Sequence, residues 1–191
     1  MTARPGLVLV RPAREHLASY LDALERGFSP DNVRPEVTRR AQLDAIAADA
    51  DAFLAAQEDL EPTDFITLPD GSRRPKLPGF RRWMWDGAVL GSIGFRFQPG
   101  TVELPAHVLG HIGFAVVPWA RRQGVGTRAL ALLLEEIRPL GLPYVELTAE
   151  LGNIASMRVM EANGGQPVRL FRKDPAYGGG EAMLFRIPLT G

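Results

Sequence analysis

Apolar residues recur along this chain with two different periods, and each period predicts its own kind of element. Apolar positions three or four residues apart, such as Leu17, Leu21 and Leu24, predict helices, whereas short apolar runs bounded by proline or glycine predict strands. The predicted strands are residues 7–11, 80–85, 88–97, 109–117, 144–149, 167–172 and 182–188. The predicted helices are residues 13–26, 36–58 (one helix or a broken pair), 122–138 and 153–162.

Glycine and proline mark the turns between these elements. Asp86-Gly87 is a strong signal for a hairpin between the second and third strands. Residues 64–79 are rich in proline, glycine and charge, so we predict a surface connection there, with its turn at Asp70-Gly71. Gly91 and Gly94, inside the third strand, indicate a bulge or a close approach of another backbone.

The order of the elements predicts the fold class. Helices alternate with strands, which is typical of an α/β or α+β sheet domain. The hairpin makes two neighbouring strands antiparallel, so we expect a mixed sheet. The chain has 191 residues, close to the roughly 150 expected of one domain, and residues 1–191 are predicted to form a single domain.

Composition excludes several classes of function. Lys plus Arg and Asp plus Glu each number 22, so the chain has no net charge to attract nucleic acid or an anionic membrane. The absence of cysteine excludes a disulfide scaffold, a thiolate metal site and a cysteine nucleophile. No apolar run approaches the roughly 20 residues of a membrane helix, and the first run is too short for a secretory signal. We therefore expect a cytoplasmic protein.

The segment most informative about chemistry is a strand that ends at Pro118, a basic turn, and Gly124-Val125-Gly126 at the start of a helix. The first turn of a helix has N–H groups without intrahelical partners and a positive dipole end, and glycine lets a phosphate approach them. On these grounds alone the glycines either bind a pyrophosphate or only shape the turn. Ala129 breaks a dinucleotide fingerprint, and no lysine follows as a Walker A loop requires.

Two motifs give the chain a resemblance to a known family. Val116, Pro118, Arg121, Gly124 and Gly126 resemble the acetyl-CoA motif V-x-P-x-x-R-x-x-G-x-G of the GCN5-related N-acetyltransferase (GNAT) superfamily. A second GNAT-like motif follows at the expected distance, with the members Asn153, Ser156 and Gly164. The resemblance is firm over residues 80–188, and its core motifs lie within residues 109–165. The chain most resembles a bacterial subgroup of predicted acetyltransferases.

The resemblance implies a GNAT-like fold and a site for acetyl-CoA. The fold would be a mixed, mostly antiparallel twisted sheet flanked by helices, with a splayed central pair of strands that binds acetyl-CoA, and no metal. The residues implied at the cofactor are Phe114, Ala115 and Val116 for the pantetheine arm, Arg121, Arg122, Gln123, Gly124, Val125, Gly126 and Thr127 for the pyrophosphate, and Asn153 and Ser156 on the next helix. For Asn153 the residue type alone fits a helix N-cap equally well.

The proton chemistry is the part that the resemblance leaves open. GNAT enzymes often carry a tyrosine acid seven residues after the asparagine, but this chain has Met160 there. Glu146 and His111 are the candidate bases, since each residue type can accept the proton of an attacking amine. Glu146 matches a base of some relatives only if two extra residues precede Asn153. Either residue is alternatively structural, as a salt-bridged strand carboxylate or a hydrogen-bonded imidazole.

The predicted function is acetyl-CoA-dependent N-acetylation of a primary amine, on a small molecule or a peptide, by direct attack in a ternary complex. The alternative is a catalytically weak GNAT-like module that binds acetyl-CoA as a sensor or partner. Glu103, His107 and His111 lack a recognised metal-ligand spacing. Trp83 and Trp85 are expected to pack in the core rather than stack on a ligand. Nucleic acid and membrane are not expected as partners, and the sequence is compatible with a homodimer.

Overall fold

The computed structural model describes residues 6–67 and 71–189, which form two main sheets and five α-helices. The strands are β1 Val8–Val10, β2 Glu58–Asp59, β3 Phe65–Thr67, β4 Arg73–Pro75, β5 Gly79–Trp85, β6 Val89–Arg96, β7 Ile112–Val116, β8 Tyr144–Glu150, β9 Gln166–Arg172 and β10 Glu181–Pro188. The helices are α1 Arg14–Glu25, α2 Pro35–Ala48, α3 Ala50–Ala55, α4 Val125–Ile137 and α5 Ile154–Glu161.

The first sheet has the strand order β1-β5-β6-β7, and β2 pairs with the other end of β5 on the same edge as β1. The predicted hairpin joins β5 to β6, with Gly87 in the left-handed region at φ +77°. Gly91 makes the predicted close approach, because a Cβ there would lie 2.3 Å from the carbonyl oxygen of Ala115. Gly94, by contrast, sits in regular register opposite Gly113.

The second sheet has the order β8-β10-β9, and all ladders among the described residues are antiparallel. In β8 the buried residues Val145 and Leu147 alternate with the half-buried Glu146 and Thr148, as a strand with one covered face requires. The α/β fold class predicted from the sequence is confirmed. The expectation of one mixed sheet is wrong for the described residues, because the strands form two main antiparallel sheets that meet between β7 and β8.

The core lies between the first sheet and the helices. The predicted face of α4 is buried along its whole length and packs against β1, β6 and β7. On α1, the fully buried Tyr20 stacks on Trp83 of β5 with ring centroids 4.2 Å apart, and its hydroxyl donates to Oε1 of Gln42 at 2.5 Å. Burial raises the pKa of Tyr20 to about 12. These contacts fix α1 and α2 over one face of the sheet.

Three sequence predictions about elements need correction, and for the segment 36–58 the structure has the second of the two predicted alternatives. The segment 64–79 is not only a connection, because β3 and β4 pair within it; Asp70 of its predicted turn lies outside the described residues. The helical segment 36–58 is the broken pair α2 and α3, divided at Asp49, and its last residue begins β2. The fourth strand starts at Ile112 rather than 109, and α4 starts at Val125 rather than 122. A turn occupies residues 121–124 before α4, whereas residues 109–111 are neither strand nor turn.

Across residues 6–67 and 71–189, no helix is both long enough and apolar enough to span a membrane.

Candidate active site

The segment leading into β7 is bonded to β8 around His111, where the Thr148 hydroxyl also donates to the Leu109 carbonyl, and the two sheets separate beyond it. The main-chain N–H of His111 donates to the carbonyl of Glu146 at 2.7 Å, and the N–H of Glu146 donates to Nδ1 of His111 at 3.0 Å. In the described part of the chain no strand pairing links β7 to β8, which are the outer strands of their sheets. A gap therefore separates the rest of β7 from the rest of β8.

The edge of β7 that faces this gap carries unpaired strand groups. The carbonyl of His111 and the N–H of Val117 both bind β6, and main-chain groups alternate between the two edges of a strand. The groups of Phe114 and Val116 therefore face the gap, and those of Ala115 face β6. Side chains reach into the edge, since Asn32 Nδ2 donates to the Phe114 carbonyl at 3.1 Å and Arg121 Nε to the Val116 carbonyl at 3.1 Å.

The turn after β7 ends at an uncapped helix N-terminus. Arg122 has φ +58° and Gly124, the N-cap of α4, has φ +76° in the left-handed region. The amide of Arg128 makes the first intrahelical bond, to the Gly124 carbonyl at 3.0 Å, and no side chain caps the helix. The N–H groups of residues 125–127 therefore have no intrahelical acceptor. Gln123 braces the turn through the carbonyl of Trp119 at 3.0 Å.

The electrostatics of this turn favour an anion. Arg121 and Arg122 are exposed and Arg128 is half-buried, so three guanidinium groups surround a helix end that is itself positive. Gly126 is buried, and a Cβ there would touch Val159 at 3.4 Å and Phe114 at 3.5 Å, so the helix start packs closely on the strand. The arrangement fits a pyrophosphate at residues 121–127 and an extended arm along the edge of β7.

Asn153 is the N-cap of α5. Its Oδ1 accepts from the N–H of Ser156 at 3.1 Å, which is the capping role that its residue type allowed from the outset. Asn153 is exposed and Ser156 is half-buried, so both lie at the start of a helix that follows β8 directly. The structure therefore brings the second motif to the end of the strand that forms the other wall of the gap.

His111 is a buried link between two segments. Its side chain is only 1% exposed, Nδ1 accepts from the Glu146 N–H, and Nε2 lies 3.0 Å from the carbonyl of Val102. An Nδ1 that accepts leaves the proton on Nε2, which donates to Val102, so both ring nitrogens are occupied. Burial lowers the pKa of His111, and the nearby Arg96 acts in the same direction. The imidazole is thus held neutral.

Glu146 is an ion-paired strand carboxylate. Its Oε1 lies 2.7 Å from Nη2 of Arg186, directly opposite on β10, and the carboxylate side chain is 19% exposed. The Arg186 guanidinium in turn lies over the Tyr144 ring, 3.8 Å from its centroid. The pairing with Glu146 raises the pKa of Arg186. Glu146 therefore combines a partly accessible carboxylate with a fixed orientation beside the joint of the two sheets.

Comparisons with known proteins agree with this geometry. A family model described as the acetyltransferase (GNAT) family matches residues 33–164. The chain belongs to the GNAT family. Among curated protein sequences, none matches this chain. The predicted family and enzyme class, an acetyltransferase, are confirmed.

Solved structures with the same fold include several acetyltransferases. The ribosomal L7/L12 α-N-protein acetyltransferase RimL, in complex with coenzyme A, has a TM-score of 0.62 at 11% identity, covering 98% of this chain and 96% of that chain. The microcin C7 self-immunity acetyltransferase MccE, in complex with acetyl-CoA and AMP, has a TM-score of 0.61 at 11% identity, covering 95% and 92%. A GCN5-related N-acetyltransferase from Kribbella flavida has a TM-score of 0.55 at 18% identity, covering 96% and 98%.

One feature sets this GNAT chain apart from the pattern that its motifs resemble. Met160, at the position of the frequent tyrosine, is 2% exposed and carries no ionisable proton.

Trp119, in the motif turn, stacks against the Arg26 guanidinium, which lies 3.7 Å from its ring centroid. Trp83 is fully buried, as expected, and Trp85 packs edge-on against His16 at 4.6 Å. Among residues 6–67 and 71–189, no three His, Asp or Glu side chains are grouped as metal ligands.

Sequence reasoning missed the loop between α1 and α2 as part of the site. Asp31 accepts from the N–H groups of Val33 and Arg34 at 2.7 and 3.2 Å and from the Thr38 hydroxyl at 2.7 Å, which fixes the loop at the start of α2. The neighbouring Asn32 then reaches the open edge of β7. The available signal was Asp31-Asn32 shortly before a helix-starting proline, but nothing local shows which strand such a loop contacts.

Proposed function

We propose that this protein is an acetyl-CoA-dependent N-acetyltransferase that acts on a primary amine by direct attack in a ternary complex. The observation that carries the proposal is the open edge of β7, which leads into the uncapped, arginine-flanked N-terminus of α4. A chain without cysteine has no thiol to carry the acetyl group, which favours direct transfer. We infer one domain over residues 1–191 and, from the composition, a cytoplasmic location.

The residues present fit acetyl-CoA in order along its length. The amides of residues 124–127 and the guanidinium groups of Arg121 and Arg122 hold the pyrophosphate. The main-chain groups of Phe114 and Val116 pair with the amides of the pantetheine arm, as an added strand would. Binding displaces the side chains of Asn32 and Arg121 from the two edge carbonyls. Asn153 and Ser156 border the arm from α5. Acetyl-CoA, when bound, supplies the activated acetyl thioester.

We assign the base to Glu146, acting through a water molecule. The amine loses a proton to this carboxylate as its nitrogen forms a bond with the acetyl carbon, and the carbon–sulfur bond breaks to release the CoA thiolate. Arg186 fixes the orientation of the carboxylate. His111 is a positioning residue, because its nitrogens are bonded to Glu146 and Val102 and neither is open to an amine. With Met160 at the tyrosine position, the thiolate takes its proton from solvent.

The proposal is tested by acetyl-CoA binding and by amine-dependent thiol release on the same protein. A ligand at a hundredfold excess over its Kd stabilises the native state by about 2.7 kcal/mol, which raises Tm by roughly 5–10 °C for a chain of this size. Thiol release that requires an amine supports transfer. Saturable acetyl-CoA binding with no thiol release across a broad amine panel would replace the enzyme proposal with the binding-module alternative.

A further inference from the structure

Two guanidinium groups lie over one face of the first sheet, beside the gap. Arg81 of β5 is directly opposite Gly94 of β6, and Arg96 is two residues further along β6, so both side chains leave the sheet on the same face. Nη1 of Arg81 lies 3.3 Å from the buried Ser92 hydroxyl. Like charges so close on one face oppose folding unless something else compensates them.

The sheet beneath these groups is bare backbone. Gly94 pairs in register with Gly113 of β7. A Cβ at Gly94 would lie 3.9 Å from Cζ of Arg81, and a Cβ at Gly113 would lie 3.7 Å from Nη2 of Arg96. Gly113 is exposed although it lies within β7 as its second residue. Two adjacent strands therefore provide a floor without side chains, and the two arginines lie over it.

No carboxylate neutralises the pair. In the described part of the chain, Arg81 and Arg96 have no carboxylate within salt-bridge distance. Asp31 acts on Arg96 from a distance, but its oxygens already accept from Val33, Arg34 and Thr38. Arg96 is exposed to solvent, and yet burial lowers the pKa of its guanidinium, with Arg81 adding to the effect. We call the surface formed by Arg81 and Arg96 over Gly94 and Gly113 the cleft.

The cleft adjoins the reacting end of the proposed site. Gly113 directly precedes Phe114, whose carbonyl faces the gap, and Asn32 from the loop beside Asp31 reaches that carbonyl. Tyr177, from the connection between β9 and β10, is near enough to act on Arg96. The connection between β9 and β10 and the loop between α1 and α2 thus lie near Arg96.

Resting on the proposed N-acetyltransferase function, we propose that the acceptor is an amine that also carries a carboxylate or phosphate group, which the Arg81 and Arg96 guanidinium groups bind above Gly94 and Gly113. Arginine is the residue best suited to this task, because its planar fork donates two hydrogen bonds to a carboxylate or phosphate. Anchoring the anion there directs the amine toward the edge of β7, where the acetyl thioester would lie.

The test uses matched pairs of amines with the full chain and saturating acetyl-CoA. The carboxylate arm compares 4-aminobutyrate with butylamine, and the phosphate arm compares phosphoethanolamine with ethanolamine. We expect at least one anionic member to exceed its neutral partner in kcat/KM by roughly 10- to 100-fold, the range of a charge-assisted hydrogen bond or two. Arg96→Gln and Arg81→Gln should remove most of that preference, chiefly through KM, and leave the Kd for acetyl-CoA unchanged.

The control is Arg40→Gln, which removes an exposed arginine paired with Asp44 on α2 and should keep the preference. A preference for neutral amines, or one that survives both cleft variants, would overturn the proposal. A weaker Kd for acetyl-CoA in these variants would assign the arginines to the CoA phosphates instead. If no amine supports thiol release, the enzyme proposal fails on its own. The anion site is then tested by calorimetry of the CoA-loaded protein with 4-aminobutyrate and with phosphoethanolamine. If neither compound binds at millimolar concentration, the anion site is refuted.

Discussion

The imidazole Nδ1 of His111 accepts a hydrogen bond from the main-chain N–H of Glu146 at 3.0 Å, where the segment leading into β7 meets β8. The two residues predicted from the sequence as bases are thus hydrogen-bonded to each other, through the main chain of Glu146 and both the ring and the main chain of His111. The carbonyl of Val102 occupies the other ring nitrogen of His111, and the Glu146 carboxylate is paired with Arg186 instead.

His111 should remain neutral across the pH range of activity. Its pKa is lowered by burial, so the folded protein binds fewer protons than the unfolded chain, and stability should fall as the pH drops below the ordinary histidine value near 6.5. We expect its ring resonances in NMR to show the Nε2–H tautomer and no titration between pH 6 and 8. A titration midpoint near 6.5 assigned to His111 would contradict this account.

Replacing His111 should cost stability more than chemistry. His111→Ala removes two buried hydrogen bonds and leaves the Glu146 N–H and Val102 carbonyl without partners, for a loss of roughly 2–4 kcal/mol in the free energy of unfolding. Denaturant unfolding measures this loss. At a temperature where the variant is folded, its rate should show the same pH dependence as the parent, whereas a lost limb near pH 6–7 would restore His111 as a base.

Glu146→Gln should lower kcat by roughly ten- to a thousandfold, the usual loss for a positioned base, with the Kd for acetyl-CoA intact. The matched control is Arg186→Gln, which breaks the same ion pair but keeps the carboxylate. Steady-state thiol release with a fixed amine measures both variants. Equal losses in the two would show that the ion pair, rather than the carboxylate, matters. Parental turnover in Glu146→Gln would leave positioning and backbone donors as the source of catalysis.

The sequence motifs predicted more of the residues around the proposed acetyl-CoA site than of those around the proposed acceptor site. Gly124 at φ +76° and the N–H groups without intrahelical acceptors after it follow from local sequence. Glycine adopts the left-handed region readily, so a glycine before a helix predicts this conformation without knowledge of the tertiary fold. The position of Arg96 over Gly113 depends on the register between β6 and β7. The hydrogen bond from Asn32 to Phe114 likewise joins residues 82 apart in the chain. The spacing of residues in a sequence motif does not predict contacts between segments that are distant in the chain.

For the same reason, the sequence alone left two alternative roles for some single residues. The sequence placed His111 on the strand next to the cofactor but could not show that its ring turns toward the backbone of β8. For Asn153 both readings were available, and the N-cap bond is now visible. The two-stranded β3–β4 ladder was missed because proline, glycine and charge dominate its segment, and three-residue strands have too few positions for alternation to register.

Asp31 should make the stability of the loop between α1 and α2 depend on pH. Burial opposes ionisation, but the hydrogen bonds from Thr38, Val33 and Arg34 prevail and lower the pKa of Asp31. Its stabilisation is therefore present above the unfolded-state pKa of about 3.9 and is lost as the pH falls through the lower folded value. Asp31→Ala should lose about 1 kcal/mol at pH 7.

Equilibrium unfolding of the parent and both Asp31 variants at several pH values measures this dependence. The difference between parent and Asp31→Ala should shrink as the pH falls below 3. Asp31→Asn keeps the shape but not the charge, so it should remove the pH-dependent part alone. A gap of constant size from pH 7 to pH 2.5 would show that the carboxylate charge contributes nothing.

If acetyl-CoA binds between β7 and β8 with its pyrophosphate at the N-terminus of α4, a negative charge at position 124 should weaken that binding, and calorimetric titration of two Gly124 variants measures the effect. Asparagine and aspartate have the same shape and both tolerate the left-handed region better than other non-glycine residues, so the pair isolates charge from backbone strain. The account predicts that Gly124→Asn weakens acetyl-CoA binding modestly and that Gly124→Asp weakens it at least tenfold further. Equal affinities in the two folded variants would contradict the account.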